Sequence, residues 1–161
     1  MKPLTVAPCV LLSRAKAQRR EEDRIFALYP KGDVMHENEI GRVIVDTAVR
    51  LHKELGPGLL ESVYEVLLEH RLRNSGLRVE RQVSVPVEFD EIQFEIGFRA
   101  DLVVENLVIV ELKSVDKIDR AHKKQVLTYL KLTGMKLGFL LNFGQDVMKT
   151  GITRMVNGLR D

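Results

Sequence analysis

One stretch of this sequence, Phe98 to Val115, constrains the fold more than any other. Two apolar runs rich in β-branched residues flank a short polar break at Glu105-Asn106, a pattern that predicts two antiparallel strands joined by a turn. Three ionisable residues interrupt the apolar pattern, namely Asp101, Glu111 and Lys113. Because an unpaired charge is costly to bury, these residues require charged partners, a metal ion or a solvent-filled cleft.

The length of the turn decides whether the two carboxylates can meet. Residues directly opposite in an antiparallel pair share a face of the sheet. A two-residue turn would place Asp101 opposite Val110 and would put Asp101 and Glu111 on different faces. An odd-length turn centred on Asn106, or a bulge, places Asp101 opposite Glu111, and asparagine tolerates the positive φ that three-residue loops need. Because alternate residues of a strand share a face, Lys113 then joins both carboxylates.

Two carboxylates with room for further ligands suit Mg²⁺ or Mn²⁺. A lysine beside such an ion can position or deprotonate a water molecule, or stabilise charge that develops on a phosphate. The order Asp101, then Glu111-Leu112-Lys113, resembles the signature of the PD-(D/E)XK nuclease superfamily, although Ala100 stands where that signature has proline. The alternative is a surface hairpin that carries an ordinary Glu-Lys pair.

Composition narrows the function classes. A chain of 161 residues is long enough for one domain with a substantial core. The net charge of +2 gives no global basic signal, so any surface for nucleic acid must be a local patch. The single cysteine, Cys9, excludes an internal disulfide framework and suits a reducing cytosol, which predicts a cytoplasmic protein. No apolar run is long enough to span a membrane.

The first 34 residues differ from the rest. We expect residues 1–34 to form an extension that is poorly ordered or packs peripherally, and residues 35–161 to form one domain. The apolar run from Val6 to Leu12 is short, contains Pro8 and is followed by basic residues, which argues against an export signal.

Two helices are predicted next. Apolar residues at helical spacing predict one helix from Glu37 or Asn38 to about Leu55, ended by the Gly56-Pro57-Gly58 sequence, and a second from about Leu59 to Asn74.

Gly58, Glu61 and Tyr64 spell GxxExxY, and the surrounding string from Glu54 to Glu65 resembles the hallmark of the GxxExxY protein family. That family is assigned to the PD-(D/E)XK superfamily, and the similarity runs from about residue 35 to the C-terminus. It implies that Glu61 joins the metal site and that Tyr64 is a core residue with its hydroxyl near the site. The alternative for Glu61 is a carboxylate placed in a first helical turn by the helix dipole alone.

The sheet is predicted from alternation. Leu77 to Phe89 reads as a long strand with its odd-numbered valines on one face and Pro86 at an edge or bulge. Asp90-Glu91 reads as a turn, and Ile92 to Ile96 as a short strand that ends before Gly97. The central hairpin follows, apolar on both faces as expected for a sheet covered by helices on both sides.

A third long helix is predicted from Arg120 to about Thr133, with Asp119 as N-cap and Gly134 as its end. Gln125 and Tyr129 share one face of it and resemble the QxxxY element of several nuclease families in the superfamily. The alternative is an amphipathic helix in which Tyr129 is core and Gln125 only borders the cleft.

An apolar strand over residues 136–142, a loop or short turn over 144–149 and an edge strand over 151–156 complete the chain. The predicted order is α-α-β-β-β-β-α-β-β. This is an α/β or α+β sandwich with a mixed sheet, and the resemblance implies a restriction-endonuclease-like core.

The resemblance implies a metal-dependent nuclease that hydrolyses phosphodiester bonds of nucleic acid. DNA is the expected partner, and RNA stays open as the substrate. Asp101 and Glu111 would hold Mg²⁺ or Mn²⁺, and Glu61 would complete or orient the ligands. Lys113 would act on the attacking water or on the phosphate charge. Gln125 and Tyr129 would orient Lys113 or the scissile phosphate. A homodimer stays open, and no membrane partner is expected.

Two alternatives remain from other classes. A non-catalytic nucleic-acid-binding or assembly module could reuse the fold, since fold does not imply activity. Clustered carboxylates argue against it, because they repel phosphates unless a metal is bound. A small-molecule phosphohydrolase is the third candidate, but the sequence has no glycine loop with lysine that would cradle a nucleotide.

Overall fold

Two helices, α1 (Glu37–Leu55) and α2 (Glu61–Asn74), open the part of the chain that the computed structural model describes, residues 35–89 and 92–159. The predicted bounds of α1 are confirmed. It ends because Gly56 and Gly58 adopt φ of +70° and +106°, which favour glycine and interrupt the helix. Helix α2 begins two residues later than predicted, because Leu60 is still extended. Glu61 is therefore its first residue.

The remaining elements form a five-stranded sheet and its covering helices. They are β1 (Val79–Phe89), β2 (Ile92–Val104), β3 (Val108–Lys113), α3 (Arg120–Thr133), β4 (Leu137–Asn142), α4 (Met148–Gly151) and β5 (Ile152–Val156). The strands lie in the order β1-β2-β3-β4-β5, with the β3–β4 pair parallel and the other described pairs antiparallel. The mixed sheet that the sequence predicts is confirmed.

Apolar side chains cover both faces of the sheet, as expected from strands that are apolar on both sides. On one face the strands pack against α1 and α2, with Ile44 and Leu68 at the centre of that core. On the other face they pack against α3 through Val126 and Leu130. The helix α3 is capped by Asp119, which accepts hydrogen bonds from the N–H groups of residues 121 and 122, as predicted.

The central hairpin has the odd register. Leu102 pairs with Val110 and Val104 with Val108, which leaves a three-residue loop centred on Asn106. Glu105 and Asn106 both adopt positive φ, +52° and +55°. The prediction from turn chemistry is confirmed, and the same register carried one pair further sets residue 101 opposite residue 111.

Two predicted strands are one strand. β2 runs without interruption from Ile92 to Val104, so the predicted end before Gly97 is wrong. The pairing with β1 shifts between Val85 and Val87, and four residues of β2 span the distance that two residues of β1 span. Gly97 therefore lies in this irregularity, where a bulge absorbs the extra residues while the ladder continues. The predicted bulge near Pro86 is confirmed.

The prediction that the odd-numbered valines of β1 share one face is also wrong. Val79 packs in the core under α1 and α2, whereas Val83 packs in the core under α3. The same change of face occurs on β2 between Leu102 and Ala100. Between these positions lies Gln82, which has a left-handed backbone with φ of +52°. A single residue in this conformation makes the side chains that follow it point to the opposite faces of the sheet. The hydrophobic periodicity of the sequence cannot reveal such a change.

Further differences are small. The single-turn helix α4 lies where a loop or short turn was predicted, and β5 is the predicted edge strand. The predicted extension over residues 1–34 and the turn at Asp90-Glu91 lie outside the described residues.

The hairpin loop gives the first prediction. Asn106 is exposed and has φ of +55°, so only its backbone conformation matters there. Asn106→Val should lower the free energy of unfolding by about 1–2 kcal/mol, because a β-branched residue is strained in the left-handed region. Asn106→Gly is the control and should stay within about 0.5 kcal/mol of the parent. Urea denaturation measures both, and an equally stable valine variant would contradict the odd-length loop.

Candidate active site

The carboxylate of Asp101 lies where β2 and β3 begin to separate. The backbone pairing of the two strands ends at Leu102 and Val110. Past this last pair, the N–H of Leu112 donates to the Asp101 side chain, with a hydrogen bond of 2.8 Å to its Oδ2. The side chain thus takes the place of a backbone carbonyl acceptor. Burial raises the pKa of Asp101, and the Leu112 N–H and the charge of Lys113 only partly oppose this. The hairpin therefore holds a partly desolvated carboxylate against its own backbone.

Glu111 is the most buried charge of the site, with 3% of its surface exposed. Its Oε1 accepts hydrogen bonds from Lys113 Nζ at 3.1 Å and from Gln125 Nε2 at 3.3 Å. Its Oε2 is buried and has no hydrogen-bond partner among the described residues. Burial, together with the negative charge of Asp101, raises the pKa of Glu111 to about 7. A buried carboxylate oxygen without a donor is costly and requires an explanation.

Lys113 lies between three carboxylates. Its Nζ is 3.1 Å from Glu111 Oε1 and 3.9 Å from Glu61 Oε2. Burial alone lowers the pKa of Lys113, but the attraction and hydrogen bond of Glu111, with the charges of Glu61 and Asp101, outweigh burial and leave this pKa raised. Lys113 is therefore a cation at neutral pH.

Glu61 is anchored at the end of β3. Its Oε1 accepts a hydrogen bond of 3.0 Å from the N–H of Ser114. The Ser114 hydroxyl in turn donates to the carbonyl of Leu59 at 2.8 Å, which ties the start of α2 to the sheet. The structure thus brings Glu61 to Lys113. In the described ranges no three His, Cys, Asp or Glu side chains already form a group that could hold a metal.

The other motif residues hold this geometry. Tyr64 is fully buried, as predicted for a core residue, and stacks on Phe143 with ring centroids 4.3 Å apart. Its hydroxyl donates to the carbonyl of Gly56 at 2.7 Å and accepts from the N–H of Leu59 at 3.3 Å. The tyrosine therefore fixes the glycine loop that leads into α2 and Glu61.

Gln125 and Tyr129 lie on α3, and Gln125 hydrogen-bonds to Glu111. The Gln125 amide donates to Glu111 Oε1 and to the Tyr129 hydroxyl. The Tyr129 ring stacks on Phe98, and burial raises the pKa of Tyr129, so its hydroxyl stays protonated at neutral pH. We expected these two residues to orient Lys113 or a phosphate. In the structure, Gln125 donates to the Glu111 carboxylate, and a role toward Lys113 or a phosphate stays a prediction.

Sequence reasoning missed a second polar cluster beside Asp101. Glu65 is 5% exposed and accepts hydrogen bonds from Arg81 Nε at 2.8 Å and Gln82 Nε2 at 2.9 Å. One signal was available, because Glu65 follows Glu61 by four residues and so lies on the same helical face. Nothing in the strand pattern indicated that Gln82 would turn toward it.

The chain matches a known protein family over a range that includes the residues of this site. Residues 38–155, well over half of the 161-residue chain, match the PD-(D/E)XK nuclease superfamily. The chain belongs to the PD-(D/E)XK nuclease superfamily. No curated protein and no solved structure matches it.

This membership confirms the predicted resemblance at the level of the PD-(D/E)XK superfamily, and it confirms the restriction-endonuclease-like core. It suggests a nuclease-like function, and nucleases of this superfamily generally use divalent metal ions. In the described part of the chain, no helix combines the length and apolar character needed to cross a membrane.

The raised pKa of Glu111 predicts how stability depends on pH in the metal-free protein. Its pKa is about 7 in the folded state and about 4.3 in an unfolded chain. The folded state therefore binds the proton more tightly, so the stabilisation is complete below the unfolded value and is lost as pH rises through about 7.

Glu111→Gln removes this titration. Relative to this variant, the free energy of unfolding of the parent should fall by about 3 kcal/mol between pH 4 and pH 8, at 1.36 kcal/mol per pKa unit. Urea denaturation across this range with a chelator present measures the difference. Parallel curves for the two proteins would show that Glu111 ionises without penalty.

Proposed function

We propose that this protein is a metal-dependent nuclease that hydrolyses phosphodiester bonds of nucleic acid, with DNA as the favoured substrate. The observation that carries this proposal is the Glu111 carboxylate, whose buried Oε2 has no donor in the described part of the chain and lies beside a second carboxylate, Asp101. A buried, unpartnered oxygen with a negatively charged neighbour is a position that attracts a cation.

The residues present fit a hard divalent cation. Asp101 and Glu111 offer carboxylate oxygens, which Mg²⁺ and Mn²⁺ prefer, and Mg²⁺ binds through one or two carboxylates while keeping several waters. Two carboxylates are therefore enough for Mg²⁺ or Mn²⁺, and the site needs no third one to bind either ion. The Leu112 carbonyl is a further candidate ligand, and Glu61 would contribute directly or through water. When bound, such a cation neutralises phosphate charge and favours deprotonation of water.

The side chains around the pair have separate roles in this proposal. Lys113, a cation held between Glu111 and Glu61, stabilises negative charge that develops on the scissile phosphate. Its raised pKa favours this role over that of a general base. Gln125 and Tyr129 fix the orientation of Glu111. We also place the chain in the GxxExxY group of the superfamily, because Gly58, Glu61 and Tyr64 each have a structural part in the site.

The second candidate, a binding module without activity, explains less. Carboxylates repel phosphates, so a module that only binds nucleic acid would gain nothing from them at its binding surface. Here Asp101 and Glu111 lie close together although burial costs both of them desolvation. We further propose a cytoplasmic location from the single cysteine.

The first test combines metal binding with cleavage. Mn²⁺ at a hundred times its Kd should raise the free energy of unfolding by about 2.7 kcal/mol. The protein should cleave at least one member of a panel of single-stranded and duplex DNA and RNA with Mg²⁺ or Mn²⁺. Asp101→Asn should abolish both effects while an oxygen stays available to the Leu112 N–H.

Asp46→Asn is the matched control, since Asp46 is exposed on α1, and it should behave like the parent. Binding of nucleic acid without cleavage under either metal would favour the binding module. An undiminished metal effect in Asp101→Asn would place the metal elsewhere.

A second test separates Lys113 from the metal ligands. Lys113→Ala should still bind Mn²⁺ but should lose single-turnover cleavage by roughly a hundredfold or more, the usual loss for one charge stabiliser. Lys113→Arg keeps the positive charge and should recover part of the rate. Near-normal cleavage by the alanine variant would remove Lys113 from the mechanism, and an inactive arginine variant would favour the general-base role.

A further inference from the structure

The backbone of β1 is distorted at Gln82, directly beside Asp101. The pairs on either side are Arg81 with Leu102 and Val83 with Ala100, so Gln82 and Asp101 face each other between them. Gln82 has φ of +52°, a conformation that a non-glycine residue rarely adopts inside a strand. Strain of this kind persists only where surrounding contacts enforce it, and it concentrates at functional sites.

The distortion aims the Gln82 side chain between two carboxylates. Its Nε2 donates to Glu65 Oε2 at 2.9 Å and to Asp101 Oδ1 at 3.3 Å, which uses both N–H bonds of the amide. The other oxygen of Asp101 accepts from Leu112. Each oxygen of Asp101 therefore has one donor, and the two donors come from the strands on either side of β2.

Glu65 holds Gln82 in turn. It is buried, and its two oxygens accept from two different residues, Arg81 and Gln82. Arg81 also lies 3.5 Å from Glu69, so this guanidinium bridges two carboxylates of α2. Because both oxygens of Glu65 already have donors, Glu65 differs from Glu111, whose Oε2 has none among the described residues. Glu65 is thus suited to support and not to ligation.

We propose that Gln82 is a positioning residue that sets the orientation of the Asp101 carboxylate, and that Glu65 and Arg81 hold Gln82 for this purpose. The inference rests on the proposed function, since it assigns these residues to the same acidic pair. A carboxylate with a fixed orientation need not reorganise when a cation binds. Loss of such an outer partner typically lowers metal affinity by about 10- to 100-fold.

Gln82→Gly isolates the side chain from the backbone. Glycine adopts positive φ freely, so the variant keeps the strand distortion and loses only the amide. Relief of the strain at residue 82 opposes the cost of leaving Glu65 Oε2 without its donor, so the urea midpoint should stay close to or fall modestly below that of the parent. The Mn²⁺ affinity should fall about 10- to 100-fold, measured from the free Mn²⁺ signal in electron paramagnetic resonance. Ser84→Gly, at an exposed position of the same strand, is the matched control and should keep the parent's affinity.

A second variant guards against misfolding of the first. Asparagine also tolerates the left-handed region, but its side chain is one methylene shorter and cannot reach both carboxylates. Gln82→Asn should therefore lose Mn²⁺ affinity in the same range as the glycine variant. Unchanged affinity in both folded variants would overturn the inference.

The final readout needs no metal. The Leu112 amide donates to Asp101 Oδ2, so its hydrogen exchange reports where that carboxylate lies. In metal-free Gln82→Gly this amide should exchange faster than in the parent, while the amides of residues 108–110 keep their rates. Unchanged exchange would overturn the positioning role. If the parent binds no Mn²⁺, the proposed function fails, and the Leu112 amide still decides the role of Gln82.

Discussion

The parity of the β2–β3 hairpin is the constraint on which the rest of the site depends. A loop centred on Asn106 sets the register of Leu102 with Val110, and this register carried one pair further sets residue 101 against residue 111. A loop one residue shorter would send the side chains of residues 101 and 111 to opposite faces of the sheet. Two consecutive residues with positive φ, Glu105 and Asn106, make this loop possible. A local choice of turn geometry therefore decides whether two acidic side chains repel each other across one site or never meet.

The shared face creates an electrostatic imbalance. Asp101 and Glu65 have a donor for each oxygen, whereas Glu111 has two donors on Oε1 and none in the described ranges on Oε2. Lys113 neutralises part of the negative charge of Glu111 but is also paired with Glu61. The raised pKa values of Asp101 and Glu111 are the consequence of confining these carboxylates away from water. A protein that gains nothing from a cation at this position has no evident reason to maintain them.

The supporting contacts show why the motif residues occur together. Tyr64 fixes the glycine loop, the loop sets the start of α2, and Ser114 fastens that start to the end of β3. Gln125 approaches from the opposite layer and donates to Glu111 and to the Tyr129 hydroxyl. Both layers of the sandwich therefore converge on the end of one hairpin, where the strands separate and their backbone groups become available to side chains.

The sequence by itself determined the features that depend on neighbouring residues. The bounds of α1 and α3 follow from helical spacing and capping residues. Turn chemistry and strand alternation gave two possible parities of the hairpin, of which the odd one groups Asp101, Glu111 and Lys113. The tertiary structure decided the rest. It decided the change of face at Gln82, the continuity of β2 and the attachment of Glu61 to Ser114. These features rest on contacts between residues far apart in the chain. Gln82 hydrogen-bonds to a residue 17 positions away, and Ser114 to one 53 positions away. Periodicity carries no information about such contacts, because it describes the face a side chain would take if its strand were regular. The buried Glu65 carboxylate needs a hydrogen-bond donor, and the backbone at Gln82 departs from regular strand geometry where that residue donates to it.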